Sequence, residues 1–211
     1  MSVYFETIEL SVLFFPLIGL LMFIPTLIIH RKEYDELHEY RLFVLYLFAF
    51  SIVTAMLLTV LPLPKNITAF CLAKTGTFNA QMILFASFYD ISEYAKTRAL
   101  GWSIGDISQN RALWQIIFNL LLLVPAGFFI RALYRTTLIQ TVLIGLALSL
   151  SFELTQLTGI WGLADCSYRL FDIDDLLTNT LGAGLGWVLF GYFHWLPDPS
   201  APEDDLWYRR K

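Results

Sequence analysis

The sequence predicts an all-α protein, a polytopic helical membrane bundle of five transmembrane helices with a long extracytoplasmic loop. Of its 211 residues, 57% are hydrophobic and 15% are charged, whereas an ordinary soluble domain carries about 25% charged residues. Five apolar runs are long enough to cross a bilayer, which takes about 20 residues as a helix. Acidic and amide side chains lie within the last three of these runs, and we expect the functional site among them.

The runs and their connections define one transmembrane domain over residues 1–197, followed by a cytoplasmic tail at 198–211. The outer loop is expected at residues 64–111. The first run does not look like a signal peptide, because Glu6 and Glu9 precede it and its positive charges follow it, so we interpret it as an uncleaved span. The five spans are expected at about residues 8–30, 42–63, 112–134, 136–159 and 174–196.

The first two spans are expected to be scaffold. Pro16 and Pro25 in the first span predict a kink, which neighbouring helices can tolerate in a membrane. The second span is almost free of polar residues and ends at Pro62. The middle of the outer loop, residues 78–94, is rich in aromatic side chains but too short to cross. We predict an interfacial or re-entrant element there.

The distribution of Lys and Arg over short loops predicts the orientation. The outer side carries its Lys and Arg residues mostly in the long loop, which contributes little, together with Arg169. We therefore predict a multi-pass protein of the bacterial cell membrane with an extracytoplasmic N-terminus and a cytoplasmic C-terminus. The cytoplasmic side is expected to carry Arg31, Lys32, Arg41, Arg131, Arg135, Arg209, Arg210 and Lys211.

Each of the last three spans places polar residues at helical spacing, so that each forms a polar face. In the third span these are Gln115 and Asn119, and in the fourth Ser149, Glu153 and Gln156. All three faces are expected at one depth near the outer surface. The face of the fifth span comprises Asp172, Asp175, Asn179, Gly182 and Gly186.

The cost of burying charge in lipid predicts where these faces point. A charged side chain in a span costs about 2.5–3.5 kcal/mol on insertion scales and normally faces the bundle interior or a water-filled cavity. Glu153 should therefore face inward, with Arg169, or Gln156 and Asn119, as partners. The competing interpretation is structural: amides can bond helices together, glycines can pack helices, and Asp174 can complement the helix dipole.

Several classes of function are excluded or disfavoured. The net charge of -4 and the absence of a basic stripe argue against nucleic acid. There is no Ser-His, Cys-His or HExxH arrangement, which disfavours a hydrolase or a zinc site. We predict neither a cofactor nor a metal, although in the enzymatic alternative below Asp172 and Asp175 could hold Mg2+ or Ca2+. Cys71 and Cys166 are both expected outside, where a disulfide between them could attach the long loop to the outer end of the fourth span.

The residues of the last three spans resemble the VanZ-like family of bacterial membrane proteins. The resemblance rests on three consecutive pieces. Asn119 is followed by the segment 125–128 (Pro-Ala-Gly-Phe), and Glu153 is followed by Gln156. The third piece comprises Arg169, Asp172, Asp175, Asn179, Gly182 and Gly186. The resemblance implies a role in protecting the cell surface against teicoplanin and related glycopeptide or lipoglycopeptide antibiotics.

Three functions remain open. The first, which we favour, is a non-enzymatic protein whose outward polar cavity binds membrane lipid, a lipoglycopeptide or a lipid-linked cell-wall precursor. The second is an intramembrane enzyme acting on an envelope lipid, with Glu153, Asp172 and Asp175 as catalytic candidates. The third is a transporter or a structural partner of another membrane protein. The predicted ligand-binding residues are Asn119, Glu153, Gln156, Arg169, Asp172, Asp175 and Asn179.

Overall fold

A computed structural model describes residues 19–21, 23–28, 31–32, 39–61, 63–64, 66–73, 80–97, 110–193, 196 and 199. Among the described residues from 39 onward, seven helices of more than four residues and two short strands follow one another. The helices are α1 (Glu39–Val60), α2 (Ile67–Ala73), α3 (Ala86–Thr97), α4 (Arg111–Leu122), α5 (Val124–Tyr134), α6 (Leu138–Leu157) and α7 (Ile173–Tyr192), and the strands are β1 (Ala80–Gln81) and β2 (Phe171–Asp172).

Three helical stretches in the described part of the chain are long and apolar enough to cross a membrane: α1, the continuous pair α4–α5, and α6. The all-α class is confirmed, and these three apolar helical stretches lie where the second, third and fourth spans were expected. Five spans are not established. The first expected span lies partly outside the described residues, where a shorter apolar helix covers Gly19–Ile28. Residues 198–211 lie outside them as well, apart from Pro199.

Helix α7, the expected fifth span, has 20 residues but is not among the helices that are apolar enough. Its polar first turns and its glycines lower its hydropathy. The fold tolerates this low hydropathy because α7 packs against α4, α5 and α6, so that much of its surface contacts protein. A fully apolar surface is not required of a helix in that position.

Glycines allow α7 to approach its neighbours closely. A Cβ atom on Gly182 would overlap the carbonyl oxygen of Leu120, and one on Gly186 would overlap that of Val124. From the other side, a Cβ on Gly127 would overlap the carbonyl of Ala183. Gly182 and Gly186 are therefore packing residues, as the structural interpretation expected.

Local sequence signals set the helix boundaries around α7. Leu123 interrupts the third expected span, and Pro125 lies at the start of α5, where its missing N–H costs no helical hydrogen bond. Helix α6 begins with a capping box in which Thr137 and Gln140 each accept a backbone N–H. It ends in a left-handed turn, Gly159–Gly162. A Cβ on Gly159 would lie 2.6 Å from two carbonyl oxygens.

The expected long outer loop contains ordered elements wherever the structure describes it. Strand β1 pairs in parallel with β2, with Gln81 opposite Asp172, and α3 packs against α4. A disulfide joins Cys71 at α2 to Cys166 in the α6–β2 connection. Residues 78–94 contain β1 and most of α3, and their interfacial position stays a prediction. The disulfide joins the loop to the connection after the fourth expected span, as the sequence suggested.

Candidate functional site

The N-terminal end of α7 gathers polar side chains from four parts of the chain. Asp172 caps the helix, accepting the backbone N–H of Asp174 at 2.9 Å. The side-chain amide of Gln115 on α4 donates to Asp172 Oδ2 at 3.2 Å and to Asp175 Oδ1 at 2.7 Å. Gln81 of β1 donates to Asp172 Oδ1 at 3.4 Å. One amide thus links the two aspartates on consecutive turns.

Glu153 on α6 joins this network from inside the bundle. Its side chain is 3% exposed, and its Oε2 accepts the backbone N–H of Asp172 at 3.1 Å. The expected inward orientation is confirmed. The observed partner is none of those expected. Among the described residues, no ion pair within 4.0 Å joins Glu153 to Arg169, and the amides of Gln156 and Asn119 do not donate to Glu153. The backbone N–H of Asp172, just before the first turn of α7, is the hydrogen-bond donor to Glu153 instead.

The electrostatics of Asp172 follow from this crowding. Burial raises the pKa of the Asp172 carboxyl group above its ordinary value, and the hydrogen bond from the Asp174 backbone opposes that shift. The neighbouring carboxylates of Asp174 and Asp90 raise it further, while the Gln115 amide lowers it. Negative charge is therefore concentrated at this end of the bundle, and a bound cation or hydrogen-bond donor would stabilise it.

The two predicted asparagines lie deeper. Asn119 lies beside Asp175, but its buried Nδ2 makes no hydrogen bond within 3.5 Å to a described residue. Asn179 is 1% exposed, and its Nδ2 donates to Ser149 Oγ at 3.0 Å. Asn179 therefore bonds α7 to α6. This contact matches the structural alternative for buried amides in a membrane bundle.

Two other predicted ligand-binding residues contact the end of α1. A helix leaves its last four carbonyls without intrahelical partners. Gln156 Nε2 donates to the carbonyl of Thr59 at 2.8 Å, and Arg169 Nη2 donates to that of Leu61 at 3.3 Å. Tyr168 donates its hydroxyl to the Val60 carbonyl at 3.2 Å. Gln156 and Arg169 thus cap α1, and among the described residues neither makes a hydrogen bond to a carboxylate of the network.

Asp174 has a role that the helix-dipole interpretation did not include. It is 2% exposed, and both of its carboxylate oxygens face the start of α3. Its Oδ1 accepts the backbone N–H of Phe85 at 2.6 Å, and its Oδ2 accepts that of Ser87 at 2.9 Å. One carboxylate of α7 thereby holds the N-terminus of α3 in place.

An open cavity of about 340 Å³ lies outside this network, between α3, the start of α4 and the strands. Of the predicted site residues, only Asp172 lines it; Glu153, Asn119, Arg169 and the others do not. Its ionisable lining residues are Asp90, Arg111 and Asp172. The remaining lining residues are Gln81, Ala86, Ser87, Asn110, Ala112, Gln115 and Leu170.

Sequence reasoning placed Gln115 on the polar face of the third span but did not include it among the binding residues. Its position four residues before Asn119 was the available signal, since that spacing puts both on one side of a helix. Asp90 and Gln81 carried no such signal, because only the folding of the connection between α1 and α4 brings them to the cavity. Among the described residues, no group of three or more His, Cys, Asp or Glu is arranged to hold a metal ion.

Of the comparisons with known proteins, only the one with protein families gives a match. No curated protein and no solved structure matches the chain. The VanZ/LLP1 family profile, in contrast, matches residues 43–194. That range runs from α1 through α7 and includes both the carboxylate network and the cavity. The chain therefore belongs to the VanZ/LLP1 family.

Proposed function

We propose that this VanZ-like protein is an integral membrane protein of the bacterial envelope that binds the polar end of an amphipathic or lipid-linked ligand at its outer face. The observation that supports this most is the open cavity beside Asp172. Hydrogen-bonding side chains line it, and a helical stretch long and apolar enough to cross a membrane begins at its edge, at Arg111. An amphiphile could place its polar end in the cavity and its apolar part along the bundle.

The proposed orientation puts the N-terminus and the cavity outside and the C-terminus in the cytoplasm. The disulfide between Cys71 and Cys166 supports it, because disulfides persist in oxidising extracytoplasmic compartments and are rare in the cytosol. With α7 and residues 8–30 as crossings, the chain would cross five times. In intact cells, a membrane-impermeant reductant followed by an impermeant maleimide should label Cys71. Labelling only after the membrane is made permeable would place the cavity inside.

The dimensions of the cavity limit what it can hold. Small-molecule sites typically have volumes of about 300–1,000 Å³, and this one, at about 340 Å³, is at the lower limit. It can accept a headgroup or a short polar appendage but not a whole glycopeptide. We therefore propose that a lipoglycopeptide or cell-wall precursor, if bound, inserts one polar group here while the remainder lies at the membrane surface.

Binding is tested directly with purified protein. Native mass spectrometry of the full chain released from nanodiscs should show retained amphiphile, and Asp172→Asn should reduce retention by about tenfold, since charged hydrogen bonds contribute about 1.5–3 kcal/mol each. Asp165→Asn is the matched control, because Asp165 is exposed and does not line the cavity. Equal retention by wild type and Asp172→Asn would refute a role for the cavity.

The resistance role is also a proposal, and cells test it. Expression of the wild-type chain in a susceptible strain should raise the inhibitory concentration of teicoplanin. Asp175→Asn should abolish the increase, because Asp175 shares the Gln115 amide with Asp172, and Asp165→Asn should keep it. If wild type and Asp175→Asn protect equally at equal membrane levels, protection does not depend on this network.

The enzymatic alternative receives less support from the geometry. A general acid or base must come within hydrogen-bond distance of the substrate, yet Glu153 is buried and does not line the cavity. Its carboxylate instead accepts a backbone N–H. Turnover of an envelope lipid that is lost in Glu153→Gln and kept in Asn119→Ala would nevertheless favour the enzyme.

A further inference from the structure

The cavity that the proposed function assigns to an amphiphile has an uneven distribution of charge. Two of its three ionisable lining residues are the carboxylates Asp90 and Asp172, and the third is the guanidinium of Arg111. Within the part of the chain that the structure describes, neither Asp90 nor Arg111 makes a hydrogen bond or an ion pair. Both are exposed on the cavity wall, so their charges remain available to a ligand.

The carboxylate of Asp90 acts unfavourably on that of Asp172. Asp90 is close enough to raise the pKa of Asp172 by charge repulsion. A cation between them would relieve this repulsion, and an ammonium group with several N–H donors could also bond to both. Arg111 offers the opposite preference, because a guanidinium binds phosphate through paired N–H donors. The cavity therefore presents an acidic wall and a phosphate-binding group within one small volume.

The surroundings of Arg111 indicate that the ligand continues into the membrane. Arg111 is the first residue of a helix pair long and apolar enough to span. Trp114 and Phe118 follow it at intervals of three and four residues, which places all three on one side of α4. Their rings are exposed, and the ring centroids lie 5.8 Å apart. A phosphate at Arg111 would thus lie directly above an aromatic surface suited to acyl chains.

We propose that the cavity binds a membrane phospholipid whose headgroup carries a primary ammonium beside its phosphate, as in phosphatidylethanolamine. The ammonium lies between Asp90 and Asp172, the phosphate at Arg111, and the acyl chains along Trp114 and Phe118. This rests on the proposed function, since it identifies the class of amphiphile that the same cavity takes. A choline headgroup fits the charges but has no N–H to donate to the carboxylates.

The experiment compares lipids that differ only in the headgroup. The full chain in phosphatidylglycerol nanodiscs receives equal mole fractions of phosphatidylethanolamine or phosphatidylcholine with identical acyl chains, and native mass spectrometry counts retained lipid. We expect about tenfold preference for phosphatidylethanolamine, the lower end of what hydrogen bonds to a charged group contribute. Asp90→Asn should reduce retention of phosphatidylethanolamine to the level of phosphatidylcholine, and Arg111→Gln should weaken retention of both. Asp165→Asn is the control.

The possible outcomes separate this inference from the function on which it rests. Equal retention of the two lipids, or an unchanged preference in Asp90→Asn, would overturn the headgroup assignment while amphiphile binding stands. No retention of any amphiphile would overturn both. Soluble phosphoethanolamine, added as a competitor, distinguishes binding of the headgroup alone from binding of the whole lipid. We expect it to displace phosphatidylethanolamine only at concentrations far above those of the lipid, because the free headgroup lacks acyl chains. Because Asp90 and Arg111 are exposed, their replacement should leave the fold intact.

Discussion

Replacement of Asp174 by alanine should release α3 from the bundle and open one wall of the cavity. Asp174 accepts two backbone hydrogen bonds from the start of that helix, one from Phe85 and one from Ser87. Hydrogen bonds to a charged group contribute about 1.5–3 kcal/mol each. Phe85 is 52% exposed, so water can replace part of the loss there. We expect the local opening of α3 to become easier by about 2–4 kcal/mol by that scale.

Hydrogen exchange measures this opening directly. At 1.4 kcal/mol per tenfold, amides in the peptide covering residues 82–90 should exchange about 30- to 700-fold faster in Asp174→Ala. Asp174→Asn keeps one oxygen acceptor and should lose about half of the free energy. Peptides within α6 should be unaffected, as should all peptides in the exposed control Asp165→Ala. Unchanged exchange at residues 82–90 in Asp174→Ala would refute the claim that this carboxylate holds α3.

Three further predictions concern packing, the disulfide and pH. Gly182→Ala should lower the free energy of unfolding in detergent by about 1–3 kcal/mol, as overpacking does. Gly184→Ala is the control and should be tolerated, because its Cβ would meet only side-chain methyls, the nearer at 3.4 Å. Equal stability of the two variants would contradict the packing role of Gly182. Breaking the Cys71–Cys166 bond, by reduction or by Cys71→Ser, should lower the free energy of unfolding by about 2–4 kcal/mol and make residues 67–97 more sensitive to protease. A melting temperature that does not respond to reductant would contradict a stabilising role of the disulfide. The pKa of Asp172 is raised in the folded protein, so its contribution to the free energy of unfolding is fully present below its unfolded pKa, near 3.8, and is lost as pH rises through the folded pKa. Asp172→Asn should therefore gain stability relative to wild type between pH 4 and 7. A stability difference between the two proteins that does not change with pH would contradict the argument that burial raises this pKa.

Much of the membrane architecture could be predicted from the chain. The apolar runs at α1, α4–α5 and α6 are long enough that few other folds could bury them, and the structure contains all three. The inward orientation of Glu153 could be predicted because an exposed carboxylate in lipid costs too much. The packing role of the glycines also followed, since residues without side chains at helical spacing allow two backbones to approach.

The contacts of the individual site residues could not be predicted in this way. Helical periodicity shows which residues share a face, but not which neighbouring helix that face meets. Arg169 was one of the partners expected for Glu153, the alternative being Gln156 with Asn119. Arg169 instead donates to the Leu61 carbonyl at the end of α1. The sequence contains no sign that this distant helix end needs hydrogen-bond donors. Only the packing of α1 against α5 and α6 creates that requirement.

Hydrophobicity and spacing thus decided which segments are apolar helices and which polar residues point inward, because both depend on short-range periodicity and on the cost of placing charge in lipid. Tertiary structure decided the rest. The pairing of β1 with β2, the disulfide and the contacts of Asp174 fold the outer connection back over α7, and this brings Asp90 and Gln81 to the same cavity as Asp172. Residues separated by some 90 positions meet there through the closure of a long loop, which no local pattern specifies.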